Sequence, residues 1–257
     1  MSSARRSHLE GMSLRLLPLL ALLSTPALAE PWRAEYALTL AGVRVMEAQI
    51  TFDINGPRYV VETRVRSRGV ATMISRGDQV TRSEGTWRGN EPVPQRYVSN
   101  GNWRGTARQV TIDYVAGEPR VTALVPPVDM PRTPIPASDL RGTVDSLTAL
   151  AALARSVDRT GRCEGTARMF DARRLTHFTA RTHGQEEGGL HCSVVSQQLG
   201  GIPTDRDPDV ASQPQTVEAW FVRPQEGGPA VPVRVQLASR WWGRIEANLV
   251  RLERAPG

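Results

Sequence analysis

The chain contains 257 residues and carries a formal net charge of +6, and its length suits one large β domain or two small ones. All 32 basic residues are arginines spread along the chain rather than clustered, so the composition argues against nucleic acid as a partner. This modest positive charge is compatible with a contact to anionic lipid or polysaccharide.

The N-terminal segment has the features of a secretory signal peptide. Two arginines precede an apolar run at residues 16–23, and Ala27-Leu28-Ala29 matches a small-residue cleavage site. The run is shorter than the about 20 residues that a membrane helix needs, and no later run is longer. We therefore predict export to the periplasm, cleavage after Ala29, and a mature chain of residues 30–257 without a transmembrane segment.

Apolar and polar residues alternate through an N-terminal block at about 33–125. The clearest runs cover residues 36–40, 46–54, 59–65 and 110–114, and short Gly-, Asn- and Pro-containing turns separate them. This period of two is typical of half-buried strands, and the short connections favour antiparallel pairing. A break in the alternation at Val45-Met46 suggests a β-bulge.

One segment changes to a helical period. A proline-rich connector begins at about residue 125 and leads to a helix at about 144–157, which either Thr143 or Asp145 can cap. Its apolar residues share one face of the helix: Leu147, Leu150, Ala151 and Ala154.

Alternation returns in a C-terminal block at about 163–252, for example at 217–221, 231–237 and 245–249. A long sheet that curls around one helix is more economical than two small sandwiches. The predicted fold class is therefore mainly β: a single exported domain built as a curved antiparallel sheet, a half-barrel or an open barrel, of about 10–12 strands with one inserted helix.

Cys163 and Cys192 predict a disulfide, because an even pair in an exported chain meets an oxidising compartment. Its loop of roughly 30 residues corresponds to about 3–4 kcal/mol of stabilisation. If strands 163–170, 173–183 and 190–198 form a meander, the outer two lie about 9.5 Å apart, beyond the reach of a disulfide. We expect Cys163 to lie in a loop that curls over the middle strand; a non-sequential strand order is the alternative. A metal pair or a reactive thiol are the other interpretations of the two cysteines.

The phrase G-x-W-R-G occurs twice, sixteen residues apart, around Trp87 and Trp103. Glycines on both sides favour two hairpin ends, with each tryptophan covering the end of a sheet. The alternative is a pair of aromatic and guanidinium platforms for a sugar or a phosphate.

Trp241 and Trp242 join the last two strands. Neighbouring residues on a strand point to opposite faces, so we expect one tryptophan to be exposed. They either cover a sheet end or make a peripheral contact with a membrane surface or a partner, because indole rings favour that interface.

The stretch Phe170-Asp171-Ala172-Arg173-Arg174 is a further candidate site. Asp171 can accept hydrogen bonds from its own turn and pair with Arg173 or Arg174. The two interpretations are a tight turn with an ion pair and a site that recognises an anion.

Catalytic and metal motifs are missing from the sequence. His177, His183 and His191 lack the spacing of a metal site, and no strained nucleophile turn accompanies the serines. We predict no catalytic residue, no metal and no cofactor.

The order of several weak motifs resembles the exported proteins of domain-of-unknown-function family 3108. The matching positions are Ser83, Gly85, Pro94, Tyr97, Thr143–Leu147, Cys163, Phe170–Arg174, Gly189–Cys192, Gly200-Gly201, Trp220-Phe221, Pro232–Val235 and Gly243–Leu249. Ala172 stands where the family has a glycine. The resemblance implies an exported, mostly antiparallel β protein without an established activity. At the level of the fold the chain is also similar to periplasmic lipoprotein carriers, whose half-barrel holds acyl chains over a helix.

The leading functional hypothesis is a non-enzymatic periplasmic carrier or binder of an apolar or envelope-derived ligand, a lipid or a polymer. The first alternative is a structural or interaction module of the cell envelope with a fully packed core. The second is an envelope hydrolase without a recognisable motif. A carrier needs a cleft of several hundred Å³ lined by inward residues, which separates the first two hypotheses.

Overall fold

A computed structural model describes residues 31–128, 130–239 and 243–255. The predicted signal peptide, residues 1–29, lies outside the described residues. The strands are β1 (Trp32–Leu40), β2 (Val43–Asp53), β3 (Arg58–Ser67), β4 (Gly77–Arg88), β5 (Glu91–Trp103), β6 (Thr106–Val115), β7 (Glu118–Val125), β8 (Gly165–Phe170), β9 (Leu175–Glu186), β10 (Gly189–Gly200), β11 (Gln215–Val222), β12 (Val231–Ser239) and β13 (Gly243–Arg254). The helices are α1 (Ala71–Ile74), α2 (Ala137–Leu140), α3 (Ser146–Thr160) and α4 (Pro208–Ala211).

All thirteen strands join one antiparallel sheet, in the order β7-β6-β5-β4-β3-β2-β1-β13-β12-β11-β10-β9-β8. The first strand therefore lies in the middle of the sheet, where it pairs with both β2 and β13, and the two blocks of strands extend from it in opposite directions. The sheet nearly closes into a barrel with one seam, between the edge strands β7 and β8. The predicted fold class is confirmed, with one strand more than the upper expected number.

The predicted bulge in β2 is present. Leu38 pairs with Met46 whereas Thr39 pairs with Arg44, so Val45 is the extra residue between the two pairs. A bulge of this kind bends its strand and increases the local twist, which suits a sheet that must curve into a barrel.

The alternation in the sequence separates the inner from the outer surface. In β1, Trp32, Ala34 and Tyr36 are buried and the residues between them are partly exposed. Their side chains join Phe52 and Tyr59 in the main hydrophobic core. Burial of each large apolar side chain contributes about 1.5–3 kcal/mol, so this inner surface is the main source of stability.

Helix α3 begins and ends with ordinary caps. Of the two predicted cap residues, Asp145 is the one used, since its Oδ1 accepts hydrogen bonds from the N–H groups of Leu147 (3.0 Å) and Thr148 (2.9 Å). Gly161, with φ of 67°, ends the helix and its N–H donates to Val157. The three other helices were not predicted, because four residues are too few to show a helical period. None of the described helices combines the length and the apolar character that a membrane span requires.

The segment before α3 fills the seam of the barrel. The N–H of Gly142 donates to the carbonyl of Gly117 beside β7 (2.9 Å). Val144 exchanges backbone hydrogen bonds with Arg168 and Phe170 of β8 (both 2.9 Å). Both edge strands are thereby partly covered, which protects them against pairing with other chains.

Cys163 and Cys192 form a disulfide, with their Cα atoms 5.9 Å apart. Cys163 lies in the loop before β8, and its N–H donates to Thr182 Oγ1 of β9 at 2.8 Å. The strand order is sequential and the loop curls over the middle strand, as expected from the geometry of the pair.

Candidate functional site

Helix α3 packs on β3, β4 and β5 of the N-terminal half of the barrel and on β8 at the seam. Leu147 and Ala151 share a core cluster with Tyr59 and Val61 of β3 and with Trp87 at the end of β4. The C-terminal end of the helix also reaches the other half of the barrel, where it joins a second core cluster around the disulfide.

A cleft of about 1240 Å³ lies between one face of α3 and part of the inner surface of the C-terminal half. Ala180, Val194 and Val217 are direct cross-strand neighbours, so they form one apolar row across β9, β10 and β11. These three side chains are only partly buried because the cleft lies over them. Other apolar residues of its walls are Ala149, Leu150, Ala152 and Leu153 of α3, and Ala167, Met169, Phe178, Phe221 and Val235 of the sheet.

The mouth of the cleft is polar. Arg88 and Asn90 lie at the β4–β5 turn, Arg159 near the end of α3, and Glu164 and Arg168 at the seam. The side chain of Arg159 donates to Asn90 Oδ1 at 2.6 Å and thereby links the helix to the turn. An apolar interior with a charged rim suits a ligand that has an apolar body and a polar end.

Arg155 lies at the edge of the cleft and clamps the helix to the sheet. Its side chain is 7% exposed, donates to the carbonyls of Ile54 and Gly56, and lies 4.3 Å from the centre of the Trp87 ring. Burial lowers the pKa of this guanidinium, and the nearby charge of Arg159 lowers it further. The two carbonyls replace water for Nη1 and the indole contacts the guanidinium, whereas Nε is buried without a hydrogen-bond partner among the described residues.

A buried polar cluster holds the start of α3. Asp145 Oδ2 accepts from Ser83 Oγ (3.0 Å) and Thr148 Oγ1 (2.7 Å), and Tyr59 Oη lies 2.8 Å from Thr148 Oγ1. Burial raises the pKa of Asp145, and the hydrogen bonds from Thr148 and Ser83 oppose that rise. Each of these four residues is at most 1% exposed, so the cluster anchors the helix rather than facing a substrate. Sequence reasoning found the cap but not its three partners, since their approach depends on the sheet.

The two G-x-W-R-G phrases form hairpin ends, and β5 separates them. They therefore lie at opposite ends of this strand and are not brought together. Trp87 packs on Tyr59, with ring centres 4.9 Å apart, whereas Trp103 lies against Gly77. The interpretation as hairpins agrees with this placement, and a binding role for each tryptophan stays a prediction.

The turn after β8 has the predicted ion pair. Asp171 Oδ1 accepts from the N–H groups of Arg173 (2.9 Å) and Arg174 (2.7 Å), and its Oδ2 pairs with the Arg174 guanidinium (2.9 Å). The side chain of Arg173 donates to the carbonyl of Pro126 and so ties the connector to the turn. Ala172 adopts a φ of 73°, so the turn keeps the left-handed conformation although glycine is absent.

His183 and His191 take part in a row on the outer surface that the sequence did not indicate, whereas His177 lines the cleft. The rings of His183 and His191 are 4.9 Å apart, and His191 stacks on Trp220 at 4.7 Å. The guanidinium of Arg234 covers the other side of Trp220 at 3.8 Å. Among the described residues no group of three or more His, Cys, Asp or Glu side chains is placed to hold a metal ion. Cross-strand register creates the row, and single-sequence spacing does not reveal that register.

Trp241 and Trp242 lie outside the described residues, between Ser239 and Gly243. Their assignment to a sheet end or to a membrane contact therefore stays a prediction.

Comparison with known proteins agrees with the fold. The family model described as "Protein of unknown function (DUF3108)" matches residues 35–250, which confirms the resemblance seen in the sequence. A crystal structure of a beta-barrel-like protein of domain of unknown function DUF1849 from Brucella abortus is similar, with a TM-score of 0.52 and 15% identity. The match covers 88% of this chain and 98% of that chain, and at this identity it shows the fold alone. No curated protein matches the chain.

Proposed function

The chain belongs to the DUF3108 family of proteins of unknown function, and we propose that it is a non-enzymatic binder or carrier of an apolar or amphiphilic envelope ligand. The ligand class is a lipid or a polymer with an apolar segment. The observation that carries this proposal is the cleft of about 1240 Å³ between α3 and the C-terminal half of the barrel.

The size and lining of the cleft support binding over a purely structural role. Ligand sites in proteins usually occupy about 300–1,000 Å³ and are lined mostly by apolar side chains with a few polar groups, so this cleft of about 1240 Å³ is somewhat larger than an ordinary site. The row of Ala180, Val194 and Val217 provides such a lining, and Arg159 and Arg168 provide charge at the mouth. A module with a fully packed core would not leave this row partly exposed.

The buried polar cluster supports a role without catalysis. Ser83 and Asp145 are the kind of residues that a hydrolase would use, but both are at most 1% exposed and both are engaged in holding α3. A reacting group must reach its substrate within hydrogen-bond distance. A ligand in the cleft would meet the apolar side chains first.

An exported, periplasmic location is part of the proposal. The signal-peptide pattern up to Ala29 and the buried disulfide support it, because disulfides persist in oxidising compartments. Reducing cytosolic conditions would favour the free thiols.

Bound lipid is the direct test. The mature chain, residues 30–257, is purified without detergent, extracted with organic solvent and analysed by mass spectrometry, and binding of a fluorescent fatty acid is measured in parallel. The key variant is Val217→Trp, which fills the cleft from β11. Its matched control is Thr216→Trp, the exposed neighbour on the opposite face of the same strand.

We expect lipid in the extract, a loss of roughly tenfold or more in probe affinity for Val217→Trp, and no loss for Thr216→Trp, since only the first removes apolar cleft volume. Circular dichroism and thermal unfolding verify that both variants fold. Folded wild-type protein that carries no lipid and binds no probe would favour the packed envelope module.

A further inference from the structure

The connection between β3 and β4 exposes large apolar side chains at one end of the barrel. Met73 is 88% exposed, the highest value for a large apolar residue in the described ranges, and Val70 is 60% exposed. The backbone N–H of Arg68 donates to the carbonyl of Val45 at 2.8 Å, which places this connection beside the start of β2. Val43, 52% exposed, begins that strand, so the three apolar side chains share one end of the barrel.

Arginines surround the same end. Arg64, Arg66, Arg68 and Arg76 line a hollow of about 710 Å³ in which Asp78 is the one carboxylate among the lining residues. We call these four arginines, together with Arg44, the basic end.

The five arginines of the basic end outnumber the carboxylates that pair with them. Asp78 pairs with Arg64 (2.7 Å) and Arg66 (3.5 Å), and Glu47 pairs with Arg68 and with Arg44 (3.7 Å). These two carboxylates pair with four of the five arginines, and neither pairs with Arg76. The side chains of Arg44, Arg64 and Arg68 are between 42% and 56% exposed, so their guanidinium groups reach the solvent.

The combination of exposed apolar and cationic side chains distinguishes among the partners that could bind this surface. A free anion or a soluble polyanion would use the arginines alone and leave Val70 and Met73 in water. A bilayer with anionic lipids uses both, because its phosphates attract arginines and its interface accepts apolar side chains.

We propose that the basic end docks on the surface of an anionic lipid bilayer, with Val70 and Met73 entering the interface and the arginines contacting lipid phosphates. None of the residues that line the hollow lines the cleft. This docking surface therefore goes beyond the proposed ligand binding and does not depend on it.

Vesicle co-sedimentation tests the proposal with the mature chain. The vesicles are pure phosphatidylcholine or phosphatidylcholine with about one third phosphatidylglycerol, which supplies the negative surface that attracts basic segments. The test variant is the pair Val70→Asp and Met73→Asp. The matched control is Val250→Asp, since Val250 on β13 is 63% exposed but lies outside the basic end.

We expect binding to the anionic vesicles, weaker binding in high salt, and a loss of roughly tenfold or more in the double variant, because charge attraction is screened and the apolar contact is lost. Val250→Asp should bind as the wild type does.

Failure to bind, equal binding to pure phosphatidylcholine, or an equal loss in Val250→Asp would overturn the proposal. Binding of inorganic phosphate or a soluble polyanion without vesicle binding would also overturn it. Because the fatty-acid probe reports on the cleft, vesicle binding and ligand binding can fail separately.

Discussion

Ser83 Oγ donates to Asp145 Oδ2 at 3.0 Å although 62 residues separate the two in the chain. This hydrogen bond joins the inner face of β4 to the first turn of α3, and Thr148 and Tyr59 complete the cluster around it. The cap of the helix is thus also its attachment to the barrel. Since α3 forms one wall of the cleft, the cluster fixes the start of that wall against β3 and β4.

Two substitutions of Asp145 should separate its role as the helix cap from its role as the acceptor for two buried hydroxyl groups. Asp145→Ala removes the N-cap and leaves the hydroxyls of Ser83 and Thr148 without their acceptor, so we expect the free energy of unfolding to fall by about 2–4 kcal/mol. Asp145→Asn keeps an acceptor for the helix N–H groups and should lose less than half of that. Urea denaturation of both variants measures the difference, and equal losses would show that the cap contributes nothing.

The raised pKa of Asp145 predicts a pH dependence. Burial holds this pKa above its ordinary value of 3.8, so above that pH the unfolded chain releases the proton before the folded protein does. The folded state then binds more protons than the unfolded state, and the contribution of this carboxyl to stability falls as pH rises through the folded-state pKa.

Asp145→Asn cannot titrate at this position. We therefore expect its free energy of unfolding, relative to the wild type, to rise as pH increases from about 4 towards neutrality. Urea denaturation of both proteins across this range gives the comparison. A difference that stays flat with pH, or that falls, would contradict the raised pKa.

Local sequence patterns predicted the strands and the helix, but they did not predict the contacts between side chains on neighbouring strands. Alternation identified the strands, the bulge at Val45 and the loop position of Cys163 follow from spacing and geometry, and Asp145 is a cap by its residue type. The stack of His191 on Trp220 depends on the pairing of β10 with β11, which a single sequence does not specify. The leading hypothesis required a cleft, but its position was not predicted, since it depends on how α3 packs inside the barrel.

Removal of the disulfide should destabilise the protein without changing its fold. The bond between Cys163 and Cys192 closes a loop with a sequence separation of 29, for which the chain-entropy model gives about 3–4 kcal/mol. Alanine is the suitable replacement because both positions are fully buried and a serine hydroxyl would be left unpaired.

In urea denaturation, the double variant Cys163→Ala and Cys192→Ala should have about the same free energy of unfolding as wild-type protein that has been unfolded and refolded with a reductant. The far-ultraviolet circular dichroism spectrum should remain that of a β protein. A reduced wild type as stable as the oxidised one would refute a stabilising bond.

The substitution Gly85→Ala tests whether the close contact between Tyr59 and β4 contributes to stability. A Cβ atom at this position would lie 2.4 Å from the carbonyl oxygen of Val93 and 2.5 Å from Tyr59 Oη, which is too close for any real contact, so both β5 and the ring must shift. The shift would break the hydrogen bond of 2.8 Å from Tyr59 to Thr148 and loosen the anchor of α3. We expect Gly85→Ala to lower the free energy of unfolding by about 2–4 kcal/mol, through overpacking and the lost bond.

Gly56→Ala is the matched control for this substitution. At Gly56 a Cβ atom would meet its nearest neighbour, the carbonyl oxygen of Arg58, at 3.8 Å, an ordinary contact. This change should be neutral or slightly stabilising, within about 1 kcal/mol, because alanine reduces the freedom of the unfolded chain. Near-ultraviolet circular dichroism follows the environment of Tyr59 and its neighbour Trp87, so it should change for Gly85→Ala alone. If both variants unfold at the same urea concentration as the wild type, Tyr59 does not hold the helix through this contact.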